Sequence, residues 1–377
     1  MGKKEGIAKA IAILVGTTIG AGVLGMPYVI SKAGFLTGLV DILILGAVIL
    51  LINLCVGEVV LRTKSVHQLT GYAEKYLGKK GKALMTLSMA IGIYGALLAY
   101  IIGVGEALGA IFGINQIYFS LGFFVIASAL VYKGIKSVAE TELLFGGVVI
   151  SLILLIGVIA IFSGKLDTSN LTEFSLSKIF VPYGVILFAF VGASSIPEIG
   201  EVLRKERKTM KKSIIIGSLI PIIIYSFFAF AIVGVFGTRV TEVASIGLGL
   251  ELGKFAVLMA NLFAVLAMST SFLTLGLALV GMYNYDYKFS KFSSWSLACF
   301  LPLILFLFGF KSFINVIGTT GIIAGGIEGT LIVLMLWSSK KKGDRKPEYE
   351  MNTGKILGSS LIIVFVLGVL QYLYGLI

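Results

Sequence analysis

The chain has 377 residues, of which 58% are hydrophobic and only 13% charged, with a mean hydropathy of +1.03. An ordinary soluble domain carries about 25% charged residues, so this composition excludes a water-soluble fold and points to one membrane-embedded domain over residues 1–377. The net charge of +12 raises nucleic-acid binding as an alternative, but the basic residues cluster between apolar runs, which topology explains without a nucleic-acid partner.

A spanning helix needs about 20 apolar residues. On that criterion spans fall near 7–30, 36–61, 83–112, 117–133, 139–163, 179–201, 213–237, 249–283, 290–310, 312–337 and 356–376, about eleven transmembrane helices in an all-α integral membrane protein. The first run follows Met1-Gly2-Lys3-Lys4 and extends past 20 residues with no small-x-small cleavage site, so it is read as helix 1 and not as a signal peptide. Alternate loops hold 25 of the 31 Lys and Arg, among them Arg62 to Lys82, Arg204 to Lys212 and Lys340 to Lys355. The positive-inside rule then places the protein in the cytoplasmic membrane with its N-terminus cytoplasmic and, for an odd span count, its C-terminus outside.

Helices 1 and 6 carry a feature that ordinary spans lack. Gly16-Thr17-Thr18-Ile19-Gly20-Ala21-Gly22 followed by Met26-Pro27, and Phe190-Val191-Gly192-Ala193-Ser194-Ser195-Ile196-Pro197, put glycine and proline at mid-membrane depth. Proline lacks an amide hydrogen and disfavours helix at the residue before it, and glycine frees the backbone, so both helices are expected to break near their middles. Gly22 to Pro27 and Gly192 to Pro197 share one spacing, and the two helices run in opposite directions. This is the pattern of an inverted repeat of five plus five helices, with units at about 7–163 and 179–337 and an extra helix at about 356–376. The plainer alternative is a pair of small-residue packing helices, which does not call for the matched proline.

Irregular backbone at this depth survives only where it lines a cavity or is buried in protein. A half-helix starting near Gly22 offers unpaired amides and a partial positive charge to a carboxylate. Carbonyls freed around Phe190, Val191, Gly192 and Ala193 can accept from an ammonium. An α-amino acid carries both charges on one carbon, so Thr17, Thr18, Gly20, Ala21, Gly22, Phe190, Val191, Gly192, Ala193 and Ser194 are the expected substrate-binding residues. Tyr94 and Tyr100 of helix 3 are further possible contacts, although an aromatic in a membrane helix is more often packing.

The same residues carry a resemblance. The helix 1 run Gly16 to Gly22 with Met26-Pro27 resembles the first-helix signature of amino acid permeases of the amino-acid/polyamine/organocation superfamily. Ser194-Ser195-Ile196-Pro197-Glu198-Ile199 resembles the sixth-helix motif of its aromatic and hydroxy amino acid permease branch and of the amino acid/auxin permeases. The resemblance covers essentially the whole chain. It implies a LeuT-type fold with substrate at the breaks of helices 1 and 6, walled by helices 3, 8 and 10. It also implies a sodium site made of the carbonyls of Gly16, Ile19 and Ala267 and the hydroxyls of Thr270 and Ser271, a set of oxygen donors that suits a hard cation. The alternative for these hydroxyls is that they bond back to their own helix.

Proton-coupled relatives can replace that cation by a lysine from helix 5, and between Phe145 and Ile161 this sequence has no Lys or Arg. Sodium coupling is therefore preferred, with the intramembrane acids Glu106, Glu198 and Glu328 as the alternative proton carriers. Glu58 and Arg62, four residues apart, are read as a structural pair. Cys55 and Cys299 lie in or beside apolar spans as packed thiols. His67 is the only histidine, which argues against a metal cluster or a histidine-centred triad. No nucleophile–base pair, cofactor motif or Walker phosphate loop is present, and no segment calls for a protein partner. The expected function is ion-coupled secondary transport of amino acids. A ligand-gated channel or a non-transporting amino acid sensor on the same broken-helix site is the alternative, separable by gradient-dependent uptake.

Overall fold

The computed structural model describes residues 3–134, 138–247, 254–351 and 354–375, and every regular element among them is helical. In chain order these are α1 (Lys3–Thr18), α2 (Gly22–Ala33), α3 (Phe35–Arg62), α4 (Leu69–Phe112), α5 (Gln116–Lys133), α6 (Val138–Phe162) and α7 (Tyr183–Phe190). There follow α8 (Ile196–Val202), α9 (Met210–Phe236), α10 (Lys254–Gly281), α11 (Lys291–Leu307), α12 (Phe313–Thr320), α13 (Gly326–Lys342) and α14 (Lys355–Tyr374). Helices satisfy their own backbone, which hydrocarbon cannot do for them. Among the described residues eight helices are long and apolar enough to cross a membrane, or nine with the pair α1–α2, which is bent by 56°. The shorter apolar helices Gly147–Phe162 and Lys291–Leu307 lie where the fifth and ninth spans are expected.

The third helix departs from its expected start at residue 83. α4 is 44 residues long, about 66 Å at 1.5 Å per residue and twice the hydrocarbon thickness. Gly78, with φ 75°, kinks it. Ahead of the kink Leu69, Tyr72, Ala73 and Tyr76 are buried at helical spacing while Glu74 is exposed. This is an amphipathic helix outside the apolar run, and its charges made it read as loop.

Lipid supplies no hydrophobic drive between helices, so close packing relies on small residues. A methyl group added at Gly38, Gly46, Gly95 or Gly184 would overlap Ile30, Ile222, Thr320 or the Gly318 carbonyl respectively. Between α12 and α13 the chain widens into a π-helical segment, Gly321–Gly325, and the Ala324 carbonyl within it accepts from the Ser88 hydroxyl at 2.7 Å. α14 is docked rather than loose: the Phe365 ring fills the space over Gly329, and the Tyr183 hydroxyl donates to the Val364 carbonyl at 3.1 Å.

The Lys/Arg-rich rim is closed by the segment 343–351, which runs beneath the end of α3. The Asp344 amide donates to the Arg62 carbonyl at 2.8 Å, and Arg345 Nη1 to the Leu61 carbonyl at 2.8 Å. The Met351 amide donates to Glu58 Oε2 at 2.5 Å, and Tyr349 donates to the Leu54 carbonyl at 2.8 Å. Glu58, fully buried, holds Arg62 Nε at 2.7 Å, as the spacing of four anticipates. Asp344 in turn pairs with Lys75 of α4.

Candidate functional site

Both expected breaks are present, and they meet. α1 ends at Thr18 and α2 begins at Gly22. Between them the Gly20 amide turns back to the Thr18 carbonyl at 3.1 Å, and the Val23 and Leu24 amides reach the carbonyls of Gly20 and Ala21. Among the described hydrogen bonds no backbone carbonyl takes the amides of Ala21 and Gly22. In the sixth helix α7 stops at Phe190, Val191 is non-helical with ψ 119°, and a 3₁₀ turn over Ala193–Ser195 leads into α8. Gly22 is where the two breaks touch: a Cβ there would lie 2.7 Å from Ala189 Cα. Gly192 lies beside the Thr18 hydroxyl, 2.5 Å from the position of its own missing Cβ.

The prolines play different parts from those the matched spacing suggested. Pro197 sits in the first turn of α8, where its missing amide costs nothing. Pro27 lies inside α2, well past the break at residues 19–21. The glycines, and not Pro27, open helix 1.

The freed carbonyls are fewer than expected. Gly192 already accepts from the amide and hydroxyl of Ser195, and Ala193 from the Ile196 amide, because the 3₁₀ turn consumes them. That leaves the carbonyls of Phe190 and Val191 without an amide donor among the described bonds. Around them Val191 and Ser194 are half-buried, while Phe190 and Ala193 are buried.

On the first helix Thr17 is exposed and donates to the Ile13 carbonyl at 2.9 Å; Thr18 is buried and donates to Leu14 at 2.8 Å. Ile19 and Ala21 are buried. Gly16 has nothing within 4 Å of a Cβ, and the nearest atom to one at Gly20 is Ser271 Oγ at 3.9 Å. α10 therefore faces the helix 1 break at Ser271. The Thr270 hydroxyl donates within its own helix, to the Leu266 carbonyl at 3.1 Å and to Ala267 at 3.0 Å. Its proton is spent, but its lone pairs are not, so an all-oxygen donor set for a cation is compatible with this geometry.

The remaining expected residues stand outside the two breaks. Tyr94 is committed elsewhere: its hydroxyl is bonded to Tyr283 at 2.7 Å and to the Leu297 carbonyl at 3.2 Å, on the side of α10 and α11. Glu198 is exposed on the first turn of α8, where a carboxylate suits the helix N-terminus. Glu106 lines a cavity of about 370 Å³ with Glu242, Thr241 and Gln116, a lining that includes no residue of either break. Glu242 itself accepts from the Ser312 hydroxyl at 3.1 Å and the Ile314 amide at 3.3 Å, capping α12. Glu328 is buried in α13.

Two residues escaped the sequence reading. Tyr225 of α9, fully buried, reaches the Thr18 carbonyl at 2.8 Å and the Ala189 carbonyl at 2.9 Å, bridging both breaks. Nothing in the sequence separates it from the other tyrosines. Asp41 of α3 is buried with Oδ2 unpartnered, and here a signal existed, an acid inside the apolar run 36–61 with no basic residue four positions on, unlike Glu58.

Comparison with known proteins agrees with this architecture. The sequence model of the tryptophan/tyrosine permease family matches residues 3–374. The chain is 28% identical to the tyrosine-specific transport system 1 of Haemophilus influenzae over 95% of this chain and 93% of that protein. It is 25% identical to a tryptophan-specific transport protein of Shigella flexneri over 95% and 92% of the two chains. It is 24% identical to glutamine transporter 2 of Aliivibrio fischeri over 88% of each. Among solved structures, MhsT in complex with L-phenylalanine superposes with a TM-score of 0.65 at 14% identity, covering 96% of both chains. The nucleobase-cation-symport-1 family transporter Mhp1, closed around bromovinylhydantoin, gives 0.62 at 12% identity over 87% of this chain and 76% of that one. Likeness at such identity shows the fold alone, and the fold is LeuT-type.

Proposed function

The chain belongs to the tryptophan/tyrosine permease family, and from that premise we propose that it carries α-amino acids across the cell membrane by alternating access, coupled to sodium. One observation carries the reading: amides at Ala21 and Gly22 and carbonyls at Phe190 and Val191, none with a backbone partner among the described bonds, flank in sequence the contact of Gly22 with Ala189. The amides begin α2, whose dipole favours a carboxylate. The carbonyls suit an ammonium. A zwitterion is thus held with no buried charged side chain, and the substrate's own side chain selects among amino acids through the walls.

Sodium, as co-transported cargo, would take the carbonyls of Gly16, Ile19 and Ala267 and the hydroxyls of Thr270 and Ser271. Approach of Ser271 to the helix 1 break supports the pairing of α1 with α10 there. In this reading the N-terminus is cytoplasmic and the units 7–163 and 179–337 are the two halves of an inverted repeat.

The test is uptake of radiolabelled L-tyrosine, L-tryptophan and L-glutamine into proteoliposomes, with sodium and proton gradients imposed separately. Gly20→Ala is the sharpest variant, since the nearest atom to the new methyl is 3.9 Å away: its thermal stability should match the wild type while saturable uptake is lost. Unchanged affinity in that variant would remove the site. Thr270→Val should weaken the sodium dependence and leave protein abundance intact. Uptake indifferent to sodium that collapses without a proton gradient would sink sodium coupling and turn attention to Glu106, Glu198 and Glu328. Currents far faster than alternating access permits would indicate a channel.

A further inference from the structure

The substrate reading leaves a buried hydroxyl unexplained. Tyr225 stands on α9, outside both broken helices, with its ring tilted on Phe190 at 5.1 Å between centroids. Its oxygen lies 2.8 Å from the Thr18 carbonyl and 2.9 Å from the Ala189 carbonyl. Each of these carbonyls would serve an amide four residues on if its helix continued, and each has lost that partner to a break. The Thr18 carbonyl keeps only the Gly20 amide at 3.1 Å and no described amide takes the Ala189 carbonyl, and one phenol serves the two half-helices together.

We infer that Tyr225 is a positioning residue of the transport site, its single hydroxyl proton shared between the Thr18 and Ala189 carbonyls so that α1 is held against the sixth helix and the two breaks keep their register. The chemistry explains why a hydroxyl serves here better than two separate donors. One proton cannot bond fully to both carbonyls, so when α1 moves away the hydroxyl turns wholly to Ala189. The bond to Thr18 is then lost while the bond to Ala189 remains. The clamp is therefore cheap to open and close, unlike an ion pair at the same depth, which would have to be desolvated afresh in every cycle. Gly22 completes the clamp by letting the backbones touch beside it.

The inference rests on the reading of the crossing as the substrate site, but its test is separable from substrate. Ala10 of α1 is fully buried, so a cysteine there is alkylated only when α1 moves. In full-length protein with Cys55→Ala and Cys299→Ala, the alkylation rate of Ala10→Cys is compared with Tyr225 intact, with Tyr225→Phe, and with 3,5-difluorotyrosine inserted at 225. Phenylalanine keeps the ring and deletes the hydroxyl; difluorotyrosine keeps the shape and donates more strongly. Alkylation should rise about fivefold in Tyr225→Phe, the factor that one hydrogen bond typically carries, and fall in the fluorinated protein. A purely packing tyrosine predicts no such opposed pair. The KM for L-tyrosine should rise in Tyr225→Phe with the maximal rate less affected. Equal alkylation rates in all three proteins, or both changes in the same direction, overturn the inference, and if Tyr225→Phe does not fold the fluorinated comparison decides alone. Wild-type protein that takes up none of the tested amino acids would count against the functional reading while leaving the alkylation result to stand for or against the clamp.

Discussion

Two regions of this molecule bind helix to helix by opposite means. At the Lys/Arg-rich rim, the 343–351 segment is tied to α3 and α4 by charge: Glu58, Arg62 and Glu350 form one chain of contacts, and Lys75 and Asp344 another. At the crossing of the broken helices no charged side chain takes part in the contact. Backbone meets backbone at Gly22 and Ala189, and a single phenol supplies the hydrogen bonding. The difference follows from what each place has to do. A rim near water can hold a fixed arrangement with ions, because their desolvation is partial. A crossing that binds and releases a zwitterion, as proposed above, would need polar backbone, little side-chain bulk and no competing charge.

The comparison breaks most visibly at Glu58. Glu58→Ala should strip the Arg62 guanidinium and the Met351 amide of a buried acceptor at once, at a cost of about 3–5 kcal/mol. Thermal unfolding in detergent would show it as a large fall in Tm, and an unchanged Tm would mean that the rim is held by packing instead. Gly22→Val comes next. Its Cβ would press on Ala189, an overpacking of about 1–3 kcal/mol, so Tm should drop less than in Glu58→Ala while uptake disappears altogether. Retained uptake would separate the crossing from function.

The smallest effect is the sharpest in sign. Hydrogen bonding from Lys75 and then from the Lys64 amide, together with their charge, holds the Asp344 carboxyl below its ordinary 3.8. A carboxyl depressed in the folded state lends stability above its unfolded pKa and loses it as pH falls through the folded value. Asp344→Asn should therefore lower stability slightly at neutral pH, by under about 1 kcal/mol for so exposed a pair. The two melting curves should converge below about pH 4. A gap that widens on acidification would reverse the assignment.

The sequence by itself determined the helical membrane fold, the Glu58–Arg62 pair and the two breaks, because each is written in local chemistry. Twenty apolar residues admit only a span, a spacing of four puts two side chains on one helix face, and clustered glycine removes the support for a continuous helix. It was silent where the outcome depends on which partners the fold brings up. Pro27 was tolerable inside α2 once Gly20 to Gly22 had opened the chain, Tyr94 found partners in Tyr283, just past α10, and in α11, and the carbonyls of Gly192 and Ala193 were consumed by their own 3₁₀ turn. Only the tertiary structure decided that Gly22 lies against Ala189 and that Tyr225, one tyrosine of 15, reaches both broken helices. Those contacts join residues 36 to 207 positions apart, and no local preference of either segment encodes the other.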